Sequence, residues 1–193
     1  MIGRAARASA NFLIRSNAVC ESDREVCEYG FHALYNSIVD IASILAIAAC
    51  AKMLPEAIAY HIAFVPMRNT AGGWHAKTRA ACFAFSTAIF AASLWASSHL
   101  ASSAASISLG LFSALLVWAA SPIEHENSPL SRAKQARMKK VSRILSIGLF
   151  AAILASDMLA YLRRAAMPLA LGMASQSLLA LMALASKART GKN

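Results

Sequence analysis

Acidic residues are scarce in this chain: nine Asp and Glu stand against 19 Lys and Arg among 193 residues, for a formal charge of +10. Such an excess suits a nucleic acid as well as a membrane surface. The companions of nucleic-acid recognition are absent, however, with no helix-turn-helix, zinc-finger or aromatic-basic pattern. Cysteine is sparse, and Cys20, Cys27, Cys50 and Cys82 form no CxxC pair and no metal-ligand spacing. No metal or other cofactor is expected. Disulfides are not expected either, because three of the four thiols fall in segments assigned to the membrane or its inner side, where thiols stay reduced. The HExxH signature of zinc peptidases is missing, as are the GxSxG elbow of serine hydrolases and any glycine-rich phosphate loop. These absences disfavour metallopeptidase chemistry, a serine nucleophile and nucleotide-driven transport. The opening MIGRAARASANFLIRSNAV is basic but lacks the long apolar core of a cleavable signal peptide.

What the chain has in abundance is apolar sequence in long blocks. Hydrophobic residues make up 58% and the mean hydropathy is +0.52, too apolar for an ordinary soluble domain. The expectation is an all-α, polytopic integral membrane protein with about six hydrophobic helices, the second one short, plus an N-terminal amphipathic helix. The blocks run over about 31–53, 55–67, 80–100, 104–120, 141–162 and 165–186, and a bilayer crossing needs about 20 residues. The 55–67 block falls short of that and reads as a re-entrant or tilted helix. Residues 1–20 set Ile2, Phe12, Leu13, Ile14 and Val19 among Arg4, Arg7 and Arg15, the pattern of a helix lying on an anionic inner leaflet. The tail 187–193 is basic and expected to be disordered. With both termini and both large polar loops (68–79 and 122–140) placed inside, only Lys52, Arg163 and Arg164 of the basic residues fall outside. The positive-inside rule is therefore well satisfied. One membrane-embedded domain over 1–193 is expected, with 1–30 as a surface-helix region.

Polar residues inside such blocks are costly and mark positions facing the bundle interior or water. Asn36 and Asp40 lie four apart, hence on one helix face, and Asp40 is a candidate for orienting a catalytic histidine or lining a polar path. Pairing with a basic residue is an equally good reading of it.

The stretch from Arg68 to Ser86, RNTAGGWHAKTRAACFAFS, places a Gly-Gly break, a histidine, basic residues and a cysteine directly before an apolar block. On one continuous helix His75 and Cys82 would share a face with Cα atoms roughly 10 Å apart, too far for direct contact. Gly72-Gly73 allow the segment bearing His75 to fold over the start of the following helix. Helical side chains lean toward the N-terminus, so Cys82 points back toward it. A helix starting near Lys77 or Thr78 sets Cys82 close to its positive end and to Lys77 and Arg79, all of which favour a thiolate. Thiolate and imidazole together make a nucleophile and base pair. The ordinary alternative is that Cys82 is a small packing residue. Of the other histidines, His61 and His99 read as packing or interfacial residues. His125 stands with Glu124, Glu126 and Asn127 in the second polar loop, where the cluster can hold a basic or amide part of a peptide or be merely solvated.

The run Arg68-Asn69-Thr70-Ala71-Gly72-Gly73-Trp74-His75-Ala76 followed by Cys82 resembles the signature of the accessory gene regulator B family, membrane cysteine peptidases that mature bacterial quorum-sensing propeptides. The segment Ser121-Pro122-Ile123-Glu124-His125-Glu126-Asn127-Ser128-Pro129-Leu130 is similar to that family's second polar loop. The two lie in order and at suitable separation, and the family's plan covers nearly the whole chain. Trp74 departs from the pattern, where tyrosine is more frequent.

The resemblance implies Cys82 as nucleophile and His75 as base, with Arg68, Gly72, Gly73, Glu124, His125 and Asn127 ordering the loop or binding substrate. It further implies a short signalling propeptide as partner, release of a (thio)lactone peptide, a homodimer, and a multi-pass location in the bacterial cell membrane. The competing reading, from a different class, is a non-catalytic membrane protein that binds or exports peptides.

Overall fold

The computed structural model describes residues 2–74, 76, 78–123 and 131–191, without the side chains of 189 and 190. Its regular elements among these residues are all helical: α1 (Ile2–Arg15), a short 3-10 turn (Glu21–Asp23), α2 (Arg24–Cys50), α3 (Leu54–Ala71), α4 (Arg79–His99), α5 (Ser103–Ala120), α6 (Arg132–Met158) and α7 (Arg163–Thr190). Five helices are long and apolar enough to cross a bilayer: α2, with the short turn before it, and α4 to α7. Among the described residues, length and composition thus support five of the about six crossings expected. α3 is not among them, since Glu56, His61, Arg68, Asn69 and Thr70 dilute its 18 residues.

Three boundaries differ from expectation. α6 begins at Arg132, inside what reads as loop, because the run Arg-Ala-Lys-Gln-Ala-Arg-Met-Lys-Lys consists of good helix formers and Ser131 caps it by accepting from Lys134 N at 3.3 Å. α2 begins at Arg24 rather than near residue 31, its first turn braced by Arg24 on Glu21 at 2.6 Å. α7 continues to Thr190, so the basic tail is helical as far as residue 190.

The chain divides into two compact units, residues 1–50 and 51–193. In the first, α1 packs on α2 with Ala6 and Ala10 buried and with Arg4, Arg7 and Phe12 exposed. Ser9 Oγ shares a 2.5 Å hydrogen bond with the Tyr35 hydroxyl, and Arg7 stands 3.8 Å from Glu28. Asn36 is buried, its Nδ2 2.9 Å from His32 Nδ1, and Asp40 is half-buried one turn on.

The second unit is built around α7. Its Ala166, Leu169, Ala170 and Met173 are buried with Ala59, Ala63, Met67 and Ala71 of α3, Val117 of α5, and Leu149 and Ile153 of α6. Between membrane helices the lipid is as apolar as leucine, so close fit rather than escape from water decides which faces meet. Small residues supply that fit. A Cβ on Gly172 would stand 2.5 Å from the Tyr60 carbonyl oxygen and 2.9 Å from Ala63 Cβ, so α3 and α7 cross nearly backbone to backbone. Buried serines find partners inside the bundle: Ser113 Oγ donates one turn back to Leu109 O at 2.7 Å, and Ser121 Oγ, at the end of α5, donates to Ser142 Oγ of α6 at 2.7 Å. Tyr60 and His61 meet Phe90 edge-on at 5.4 and 5.2 Å, seating α4 against α3.

Candidate functional site

Where α3 ends, the chain turns sharply through Gly72 and Gly73, at φ 72° and 137°. Both values lie where L side chains are strained, so the Gly-Gly pair is what the turn requires. Space demands it as well. A Cβ on Gly72 would lie 2.2 Å from the Ile123 carbonyl oxygen, and one on Gly73 3.3 Å from the Leu179 carbonyl carbon.

This turn is held from three sides. Arg68, one turn before the end of α3, donates from Nη1 to Gly72 O at 3.2 Å and from Nη2 to Trp74 O at 2.6 Å. From α7, Gln176 Nε2 donates to Gly72 O, and the Leu179 carbonyl accepts from Trp74 N at 2.9 Å. From the second polar segment, Ile123 N donates to Ala71 O at 2.9 Å, making an isolated parallel bridge between Gly72 and Ile123 just after a cis Ser121-Pro122 peptide. The two motif segments, some fifty positions apart in sequence, thus meet at one end of the bundle. Around them Ile123, Ala180 and Ala183 form a small apolar cluster onto which Trp74, Leu116 and Ala120 pack.

After the turn, Thr78 caps α4, its side chain accepting from Ala81 N at 3.2 Å. Cys82 is the fourth residue of α4, half-buried, with its N–H on the Thr78 carbonyl at 3.0 Å. It sits at the positive end of the helix, as its spacing predicts. One turn further, Phe85 meets the Trp74 ring edge-on at 5.4 Å, so the glycine turn and the cysteine-bearing helix are packed together. Burial lowers the Arg68 guanidinium's pKa, only partly offset by the Cys82 sulfur, which lies within electrostatic reach of the residue that clamps the loop. Cys20, Cys27 and Cys50 are free thiols as well, and Cys20 and Cys50 are exposed. Cys20 precedes the 3-10 turn while Cys27 lies on α2, so the two do not share one helix.

His75, Glu124, His125 and Asn127 lie outside the described residues. Arg68, Gly72, Gly73 and Cys82 are brought together around one turn. Asp40 belongs to the other compact unit and is described there. His61 and His99 make packing contacts: His61 Nδ1 is 2.7 Å from Ala57 O, and His99 stacks on Trp95 at 4.8 Å. Among the described residues no group of three or more His, Cys, Asp or Glu can hold a metal ion. Gln176 is a contributor that sequence reasoning passed over. Its signal was visible: it is the lone amide of the 165–186 block, fully buried, and a polar group at such a place needs a partner.

Five apolar spans, with a clamped polar turn set against the start of one of them, define a multi-pass membrane protein whose distinctive chemistry is gathered at one end of its helices. The family model for accessory gene regulator B matches residues 6–181, and the chain belongs to that family. Family membership supports a part in quorum-sensing propeptide processing in a membrane. Neither the curated proteins nor the solved structures contain a match to the chain.

Proposed function

We propose that the chain, acting as one peptidase domain, is a membrane cysteine endopeptidase that cuts a signalling propeptide on the cytoplasmic side and supports its closure to a (thio)lactone. The observation that carries this reading is the glycine turn, clamped by Arg68 and Gln176 and packed through Trp74 on Phe85 against the α4 start that bears Cys82. Cys82 Sγ attacks the carbonyl at the cleavage site while His75 takes the thiol proton and passes it to the leaving amine. The peptide remains on Cys82 as a thioester. An internal thiol or hydroxyl of the peptide then attacks that carbonyl, closing the ring and freeing the thiolate. Exchange of one thioester for another is nearly neutral in energy, whereas hydrolysis would discard what ring closure needs.

Arg68 holds the turn, since two of its nitrogens already bond loop carbonyls, and Gly72 and Gly73 shape it. Glu124, His125 and Asn127 contact the substrate from the second polar segment, and Asp40 is the candidate acid. α3, about 27 Å long at 1.5 Å per residue, completes a sixth passage and brings both termini to the cytoplasm. α1 lies on the inner leaflet, and the functional unit is a homodimer.

The test is propeptide cleavage in membranes with Cys82→Ser. Loss of product with normal membrane insertion supports the peptidase; retained product overturns it in favour of a peptide binder or exporter, which would tolerate this near-isosteric change. Cysteine labelling at positions 128 and 192 tests the topology. Labelling of either from outside intact cells would overturn it.

A further inference from the structure

Away from this turn, α6 and Trp118 of α5 border an open groove of about 390 Å³ lined by Trp118, Ala136, Lys139, Lys140, Arg143, Ile144 and Ile147. The α6 residues recur at helical spacing, so they form one face. That face changes character along its length. Lys139, Lys140 and Arg143 make its first part basic, while Ile144 and Ile147, 60% and 56% exposed, make the next turn apolar and outward-facing. Among the described residues the lining contains no carboxylate.

Arg143 lies over the Trp118 ring at 4.5 Å and donates from Nη2 to the Trp118 carbonyl at 3.2 Å. Its Nε is buried and has no hydrogen-bond partner among the described residues. A guanidinium held by an indole, with two ammonium groups beside it, matches a phosphate. Isoleucines directly beneath match hydrocarbon, and tryptophan at this level suits the headgroup boundary of a bilayer. The six basic residues of 122–143 place this end of α6 in the inner leaflet, where anionic lipids lie.

The geometry points to a binding site for an anionic phospholipid, its phosphodiester on Lys139, Lys140 and Arg143 and an acyl chain along Ile144 and Ile147. An acidic peptide segment would also meet the cations, but it has no use for an exposed isoleucine turn facing lipid.

The experiment is native mass spectrometry of the full chain, delipidated in neutral detergent and titrated with phosphatidylglycerol or phosphatidylcholine. Phosphatidylglycerol should bind preferentially. Lys139→Gln/Lys140→Gln, both exposed positions that leave packing alone, should weaken it by about fivefold per charge removed. Lys134→Gln/Arg137→Gln removes the same charge from α6 outside the groove and should leave binding unchanged. Arg143→Lys keeps the charge but loses the stacked fork, and should weaken binding further than its unchanged charge predicts. Equal binding of the two lipids overturns the site, as does an equal effect of the control pair, which would mean only diffuse attraction to a basic helix. Displacement by millimolar inorganic phosphate would make it a free-anion site, and displacement by an acidic peptide at micromolar concentration would make it a peptide site; either result overturns the lipid assignment.

Discussion

α4 and α7 have similarly apolar sequences, yet half of the α7 window is buried inside the protein and only 22% of the α4 window. Composition does not separate them, and both are rich in small residues; the close crossings that α7 makes do. α7 presents Ala166, Ala170, Gly172, Ala180 and Ala183 to its neighbours and becomes the central post, from which Gln176 and Leu179 reach the glycine turn. α4 keeps most of its surface outward and carries Cys82 at its capped start. Support and the proposed reactivity thus sit on different helices. Substitutions on α4 should affect chemistry with little cost in folding, and substitutions on α7 should affect both.

The sharpest break of this comparison is at the proposed catalytic pair. Cys82→Ala should abolish propeptide cleavage at every pH while the protein still inserts and resists extraction. His75→Ala should lower cleavage at neutral pH by about 10²–10⁴-fold, the usual share of a general base. Partial recovery should follow as the pH approaches the reference thiol pKa of about 8.5, because the thiol then ionises unaided. The double variant should be no worse than Cys82→Ala, since residues acting as one unit are not additive. Near-full activity of His75→Ala at neutral pH would remove His75 as base and make His125 the next residue to test.

A second break lies at the turn itself. Gly72→Ala forces a left-handed φ on alanine and drives a Cβ into the Ile123 carbonyl, which as backbone cannot swing away. The strained conformation alone, φ 72° with ψ −159°, is one that essentially only glycine adopts and costs about 1–3 kcal/mol, and relieving the clash separates the two polar segments. Cleavage should fall to near background and a protease should cut near residue 72 more readily. Wild-type cleavage in this variant would show that the bridge to Ile123 is not needed.

How much of this was legible in the sequence follows from what each feature depends on. The helical membrane class, the glycine break and the cysteine at a helix start follow from local composition and spacing, and all are present. The start of α6 was missed because lysines and arginines were read as loop, although they are good helix formers when a serine caps them. The anchoring of the turn by α7 could not be placed from sequence, since it joins residues about a hundred positions apart. Gln176 was readable as a polar residue needing a partner, but Gly72 O as that partner was not.

A smaller effect should come from Gln176→Leu, which fills the space and removes the donor to Gly72 O. Arg68 Nη1 still bonds that carbonyl, so the loss should lie at the low end of the roughly 1–3 kcal/mol for an abandoned buried group. Amide exchange at Gly72 to Trp74 should quicken and cleavage should drop by about tenfold. If Gln176→Leu leaves both unchanged, α7 is only a packing post and the division drawn above between it and α4 must be redrawn.

The smallest effect is expected at the cap of α4, and it is the most discriminating for Cys82. Thr78→Ala removes the acceptor for Ala81 N and should cost about 1 kcal/mol, whereas Thr78→Ser keeps it. Thr78→Asp also caps, and its charge complements the helix dipole, so it should be at least as stable as Thr78→Ala. The carboxylate would, however, stand one turn from the sulfur and repel a thiolate. If Cys82 reacts as a thiolate favoured by the helix start and by Arg68, it should alkylate at neutral pH faster than Cys20 and Cys50, although both of those are more exposed. Thr78→Asp should then slow Cys82 alone, and Thr78→Ser should not. Alkylation that simply follows exposure, with Cys20 and Cys50 ahead of Cys82 and no response to Thr78→Asp, would mean that Cys82 is a packing residue whose place at the helix start carries no chemistry.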